Sequence, residues 1–254
     1  MNLAHSSRIA RLCFSSLGGY MRKYAWLVLS IGLTFGLVGC GDSGSGGSGG
    51  SGGSTATAIV SGIVYSAVLE GEATALAGAT VQVVGGQSTM SGANGAFSLE
   101  SPLGTVMFLT TAPNAWGELF TASVPAGGED MAEPEVIPDA LVDEIAAATQ
   151  AIDPAKGIVT VEFDSAVAVG GESADLMADY GFAFVFDADG EPVLDNTLVA
   201  GGDSIVIFAN VDISSDVMPS ATGSGGGACS LAFPSTAFPS QARVFTVVDV
   251  APCP

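Results

Sequence analysis

Basic and imidazole side chains are nearly missing from this chain. It carries six lysines and arginines and one histidine against 26 aspartates and glutamates. His5 and four of the cations, Arg8, Arg11, Arg22 and Lys23, precede residue 40, and every acid follows it. From residue 40 onward only Lys156 and Arg243 offset the 26 acids, a net charge of −24. A field of that sign repels nucleic acid and anionic phospholipid headgroups, since binding either needs clustered cations. A segment without histidine also lacks the commonest general base and the commonest transition-metal ligand. What the acid load permits is solubility in a screening medium, capture of divalent cations, or contact with a basic partner. Solubility is the simplest of the three.

Long apolar runs are absent as well. The longest, residues 24–38, has 15 residues and includes two glycines, short of the ~20 that span a bilayer core. Arg22 and Lys23 precede it, and Leu37-Val38-Gly39-Cys40 closes it. Residues 41–54 then contain eight glycines, five serines and Asp42. A basic start, a short apolar stretch and a small residue before the cut form the grammar of a secretory signal. The closing L-V-G-C resembles the lipobox of bacterial lipoproteins. That resemblance implies a signal peptide over 1–39 and acylation of the Cys40 thiol. Cys40 would then be the mature N-terminus and the lipid-borne contact with the membrane. Met21 opens a more typical signal than Met1, and Gly41, not aspartate, after the cysteine favours the outer membrane. The 40–54 segment reads as a lipidated cysteine and flexible tether, with a reach of roughly 20 Å. Its matches to G-x-S-x-G and G-x-G-x-x-G lack the flanking strand and helix such motifs need, and are repeats of a linker.

Beyond the tether, short apolar runs split by Gly, Asn, Asp and Pro predict antiparallel β structure. Strands are expected over 59–69, 79–84, 95–99, 105–110 and 118–124, with Asn94-Gly95 supplying a hairpin turn. The runs S-G-I-V-Y, L-A-G-A-T-V-Q-V, T-M-S-G-A-N-G-A-F-S-L and P-L-G, all within 59–110, resemble a carboxypeptidase regulatory-like domain. The resemblance implies a small transthyretin-like β-sandwich of the kind found in bacterial surface proteins. It implies no catalytic residues. A first sandwich is therefore expected over 55–126.

Residues 127–156 read as an acidic linker that opens as proline-punctuated loop and contains a helix over 138–152. Pro138 suits the first turn, Asp139, Asp143 and Glu144 suit the positive end of the helix dipole, and Asp153-Pro154 ends it. Leu141, Val142, Ile145, Thr149 and Ile152 fall near one stripe, suited to packing across a joint. A second sandwich, a faint echo of the first, is expected over 157–254. Its strands are 157–164, 182–186, 204–209 and 244–250, with Phe182, Phe184 and Phe186 on one face of a central strand. The fold class is mainly β: two small antiparallel sandwiches joined by an acidic linker and one helix.

Few residues point to chemistry. Cys229 and Cys253 are the pair left after Cys40, and secretion would bond them as a structural disulfide. Their spacing is not the C-x-x-C of a redox pair. Asp187, Asp189, Glu191 and Asp195 are the best Ca²⁺ candidates, since calcium takes six to eight hard oxygens. Glycine in the fourth place breaks the EF-hand pattern, and Asp-Gly is itself a turn signal. Glu162 and Asp164 lie two apart on one strand face, and paired acids can hydrolyse glycosides without histidine. Trp116 is the one tryptophan beyond the tether: either an exposed sugar platform or a cap on the first sandwich. The leading expectation is a noncatalytic envelope module contacting other envelope proteins or polysaccharide, no enzyme and no cofactor. A carbohydrate-binding module and a carboxylate hydrolase follow.

Overall fold

Runs that alternate apolar and polar residues become strands buried on one face, and runs apolar on both sides become strands covered on both. The computed structural model describes residues 56–68, 73–164, 168–234 and 236–253; the expected signal, Cys40 and the tether lie outside them. The strands are β1 (Thr57–Ile63), β2 (Tyr65–Ser66), β3 (Thr74–Ala75), β4 (Thr80–Val83), β5 (Ser88–Met90) and β6 (Ala96–Pro102). There follow β7 (Gly104–Thr111), β8 (Ala115–Val124), β9 (Glu129–Ala132), β10 (Glu135–Pro138) and the helix α1 (Asp139–Ala148). The rest are β11 (Gly157–Glu162), β12 (Ser173–Leu176), β13 (Phe182–Phe186), β14 (Pro192–Val193), β15 (Ile205–Val211), β16 (Pro219–Thr222), β17 (Ala228–Cys229) and β18 (Val244–Asp249).

The fold is mainly β and sandwich-like. One mixed sheet runs β14-β13-β15-β11-β18-β8-β10-β2-β3, with β7, β4 and β5 branching from β8. A three-stranded sheet, β6-β1-β9, packs over one end of it: Val60, Phe97 and Leu99 share a core with Val81, Val106, Phe108 and Val124. A second, β12-β16-β17, packs over the other, where Ala174, Leu176 and Ala221 meet Val159, Val161, Val206 and Phe208. The expected regions 55–126 and 157–254 are hydrogen-bonded to each other through parallel β8 and β18, registered Val244 to Gly117, Phe245 to Glu118 and Thr246 to Leu119.

Several local expectations change. The opening of the acidic stretch is β structure, not loop: β9 pairs in parallel with β1, and β10 pairs with β8 and β2. Burial of Val136 and Ile137 outweighs the prolines that flank them. Helix α1 stops at Ala148, short of 152, where the Thr149 hydroxyl and N–H both donate to the Ile145 carbonyl. Asn94-Gly95 does turn the chain, with Gly95 at φ 76°. It does not join a hairpin, because β5 pairs with β4 and β6 with β1. The phenylalanine strand β13 is covered on both faces but is not central; only the two-residue β14 lies beyond it.

Gly62, in the S-G-I-V-Y run, sits where β1 shifts register against β9. A Cβ there would collide with the Ala132 carbonyl, which is backbone and cannot swing aside. Gly62→Ala is expected to cost about 1–3 kcal/mol in urea unfolding through this overpacking.

Candidate functional site

Side chains alternate along β11. Val159, Val161 and Phe163 enter the core under β12-β16-β17, while Ile158, Thr160 and Glu162 point to the opposite face. Helix α1 covers part of that face, laying Leu141, Val142 and Ile145 with Trp116 and Ile137 on Ile158, Phe184, Ile207 and Phe245. The stripe expected to bridge a joint does so, drawing partners from strands on both sides.

Past this apolar ground the same face turns acidic. Glu118 of β8, Glu135 of β10, Glu162 of β11 and Asp249 of β18 are each half-buried there. Glu162 and Asp249 are direct neighbours across the parallel β11–β18 pair. The Glu135 N–H donates to Glu118 Oε2 at 2.7 Å. Glu118, Glu135, Glu162 and Thr160 line a cavity of about 30 Å³ whose remaining walls are Ile137, Ile205, Ile207, Phe245 and Val247. That is room for about one water.

Like charges against apolar walls favour the protonated forms. Burial, then the Asp249 and Glu135 carboxylates, pushes Glu162 up to about 8. Burial pushes Asp249 up to about 6. Glu118 is held well above the usual carboxylate range, chiefly by burial, with the Glu135 N–H pulling the other way and the neighbouring acids adding to the rise. The two cations of the described residues are engaged elsewhere. Lys156 Nζ pairs with Asp212. Arg243 donates to the Asp139 carboxylate and the Ala115 carbonyl, with its guanidinium 5.9 Å from the Trp116 ring centre.

The expected site residues fare unevenly. Cys229 and Cys253 form the disulfide. Trp116 is 3% exposed and meets Phe245 edge-on at 5.8 Å, so it is an interior residue of the joint and offers no sugar platform. Asp187, Asp189, Glu191 and Asp195 do not converge as a calcium site. Asp187 Oδ1 accepts the Asp189 and Glu191 N–H groups of a tight turn, and Asp195 Oδ1 accepts those of Asn196 and Thr197 in another. Among the described residues no three acidic, cysteine or histidine side chains gather into a group able to hold a metal ion.

Glu162 and Asp164 separate. Asp164 lines a different pocket of about 210 Å³ with Glu172, Ser224 and Cys253. Burial alone would raise Glu172, which is 4% exposed. The N–H groups of Val169 and Gly170 and the Ser224 hydroxyl outweigh burial and hold it below the usual range. Its carboxylate ties down a loop. Glu162 is instead in register with Asp249, and the cavity that Glu162 lines has room for about one water, whereas glycoside hydrolysis needs a sugar ring between its carboxylates. The sequence reading missed Glu118, Glu135 and Asp249 because each is an ordinary solvated acid until β8, β10, β11 and β18 are laid side by side.

No protein-family model matches the chain, and no curated protein matches it. Among solved structures it overlays on the TIE protein of Bacillus anthracis at 11% identity and a TM-score of 0.25, covering 76% of this chain and 34% of that one. It overlays on the shaft pilin SpaA of Lactobacillus rhamnosus GG at 10% and 0.26, covering 78% and 98%. For BcpA, the major pilin subunit of Bacillus cereus, the values are 13% and 0.21, covering 76% and 69%. The chain thus spans about a third of the length of the first of these. At such TM-scores the architecture rests on the strand pairings themselves.

Proposed function

We propose that this chain is a noncatalytic module of the cell envelope, held on a flexible tether by a lipid on Cys40 and acting as a structural or interaction element outside the cytoplasm. The observation that carries the reading is the Cys229–Cys253 disulfide, because such bonds persist in oxidising compartments. The sequence junction at Cys40 agrees with it. Among the described residues no helix is long and apolar enough to cross a membrane, so in this reading attachment falls to the acyl chains. Gly41 after the cysteine supports the outer membrane, and the resemblances of Leu37-Val38-Gly39-Cys40 to a lipobox and of the 59–110 run to a carboxypeptidase regulatory-like domain support a bacterial lipoprotein carrying such a sandwich. Its partners are other envelope proteins or polysaccharide, and its charge keeps it from nucleic acid. Two features speak against catalysis: the small cavity that Glu118, Glu135 and Glu162 line, with room for about one water, and the lack of histidine after residue 40.

The test is Cys40→Ala followed by membrane fractionation and protease shaving of whole cells. The wild-type chain is expected in the outer-membrane fraction and the variant in the soluble one. An unchanged distribution would sink the anchor.

A further inference from the structure

Four stretches of chain meet around the cavity of about 210 Å³ that Asp164 and Glu172 line, far larger than the 30 Å³ beside Glu162. It has room for a small organic molecule, not a single water. We propose that this cavity is a binding site for a small organic ammonium ion, a primary amine in its protonated form.

The walls are built from separate parts of the fold. The chain just past β11 supplies Phe163 and Asp164, the loop before β12 supplies Glu172, the β16–β17 turn supplies Ser224, and the tail after β18 supplies Ala251 and Cys253. Three of these walls are tied down. The Val169 and Gly170 N–H groups donate to the buried Glu172 carboxylate at 3.1 and 2.8 Å. The Gly223 N–H closes the β16–β17 turn on the Gly227 carbonyl, and Cys253 is bonded to Cys229. The cavity is thus formed in advance, as small-molecule sites usually are.

Its lining is rich in acceptors and poor in donors. The N–H groups of Phe163, Ala168, Gly223 and Ala251 are spent on the carbonyls of Ser204, Asp164, Gly227 and Ser230. The Ser224 hydroxyl donates to Glu172 and keeps only lone pairs for a visitor. Burial would raise Glu172, but that hydroxyl and the N–H groups of Val169 and Gly170 hold it below the usual range, so it stays charged. Lys156 and Arg243, the only cations after residue 40, are paired with Asp212 and Asp139. A ligand that brings N–H donors and positive charge supplies what these walls lack. An anion is repelled, and a neutral alcohol brings one donor and no charge. A metal ion fits poorly, since no three acidic, cysteine or histidine side chains gather among the described residues. Phe163 and Ala251 leave apolar wall for a short alkyl chain.

The experiment titrates the purified full chain in detergent, at physiological ionic strength and neutral pH, with three probes of one size: n-butylammonium, n-butanol and n-butyrate. Amide chemical shifts locate each probe. Butylammonium is expected to saturate at the amides of Val169, Gly170, Ser224 and Cys253, roughly tenfold tighter than butanol, while butyrate leaves them still. Asp164→Asn should weaken butylammonium about tenfold, and Ala251→Leu, which adds volume at the wall, should abolish its binding. Butanol binding as tightly as butylammonium overturns the site. So do butylammonium shifts spread equally over the acidic turns at Asp187 and Asp195, which mean counter-ion attraction alone. Calcium chloride is the fourth probe, and calcium that moves the same amides and displaces butylammonium overturns the ammonium assignment. The wild-type titrations decide the matter even if a variant folds poorly.

Discussion

Trp116→Ala is expected to destabilise the fold by about 3–5 kcal/mol, the usual cost of truncating a buried large aromatic. For a chain of this size that is on the order of 10 °C in melting temperature. The indole is 3% exposed and packs with Ile137, the α1 stripe and Phe245. Alanine would leave a void at the place where strands from both expected regions share one core. It would also strip the π face from Arg243, whose guanidinium holds the start of α1 through Asp139 and the β8 backbone through Ala115. Urea unfolding is the measurement. A loss under about 0.5 kcal/mol, as for an exposed side chain, would mean the indole is not the interior residue described. A transition that splits in two would place the damage at the joint, with the core around Val81 and Phe108 and that around Val161 and Phe208 surviving it separately.

Strand existence was legible wherever hydrophobic period and length agreed. The runs that became β7, β11, β13, β15 and β18 have apolar patterns that no helix would share. The elements the sequence hid are short or poor in apolar residues: β9 reads Glu-Asp-Met-Ala and β16 reads Pro-Ser-Ala-Thr. Such segments are strands because a neighbour supplies hydrogen bonds, as β1 does for β9 and β12 for β16. No local pattern encodes a neighbour. The join between the regions was hidden for the same reason, since parallel β8–β18 pairing brings together residues 117–119 and 244–246.

Site residues divide along the same line. The cysteine pair was readable from parity alone, and Asp187 was readable as a turn because Asp-Gly chemistry is local. The carboxylate seam was not. Glu162 was singled out, but with Asp164, its neighbour on one strand, when its true companion is Asp249 on the next strand, 87 residues on. Trp116 was weighed as cap or platform because burial depends on Phe245, which lies far along the chain.

Removing the Cys229–Cys253 bond is expected to cost about 3 kcal/mol, from the loop-closure entropy that a 24-residue separation restores to the unfolded chain. In melting temperature that is roughly 6–12 °C. The bond ties β17 to the residues after β18, and that tail is already stitched in place. The Ala251 N–H donates to the Ser230 carbonyl and the Ala232 N–H to that of Asp249, with Leu231 bridging to Val250. Reduction should therefore leave the folded arrangement standing while the stability drops, because the native contacts do not depend on the sulfurs. The strand they pin matters beyond the C-terminus: β18 lies between β11 and β8 and is the strand through which the later residues grip the earlier ones. Melting of the wild type with and without dithiothreitol, beside the Cys229→Ser/Cys253→Ser double variant, measures the effect. The reduced protein and the double variant are expected to melt together, well below the oxidised chain. Equal melting of all three, or free thiols at both positions in non-reducing peptide mapping, would remove the bond from the account and with it the main support for an oxidising compartment.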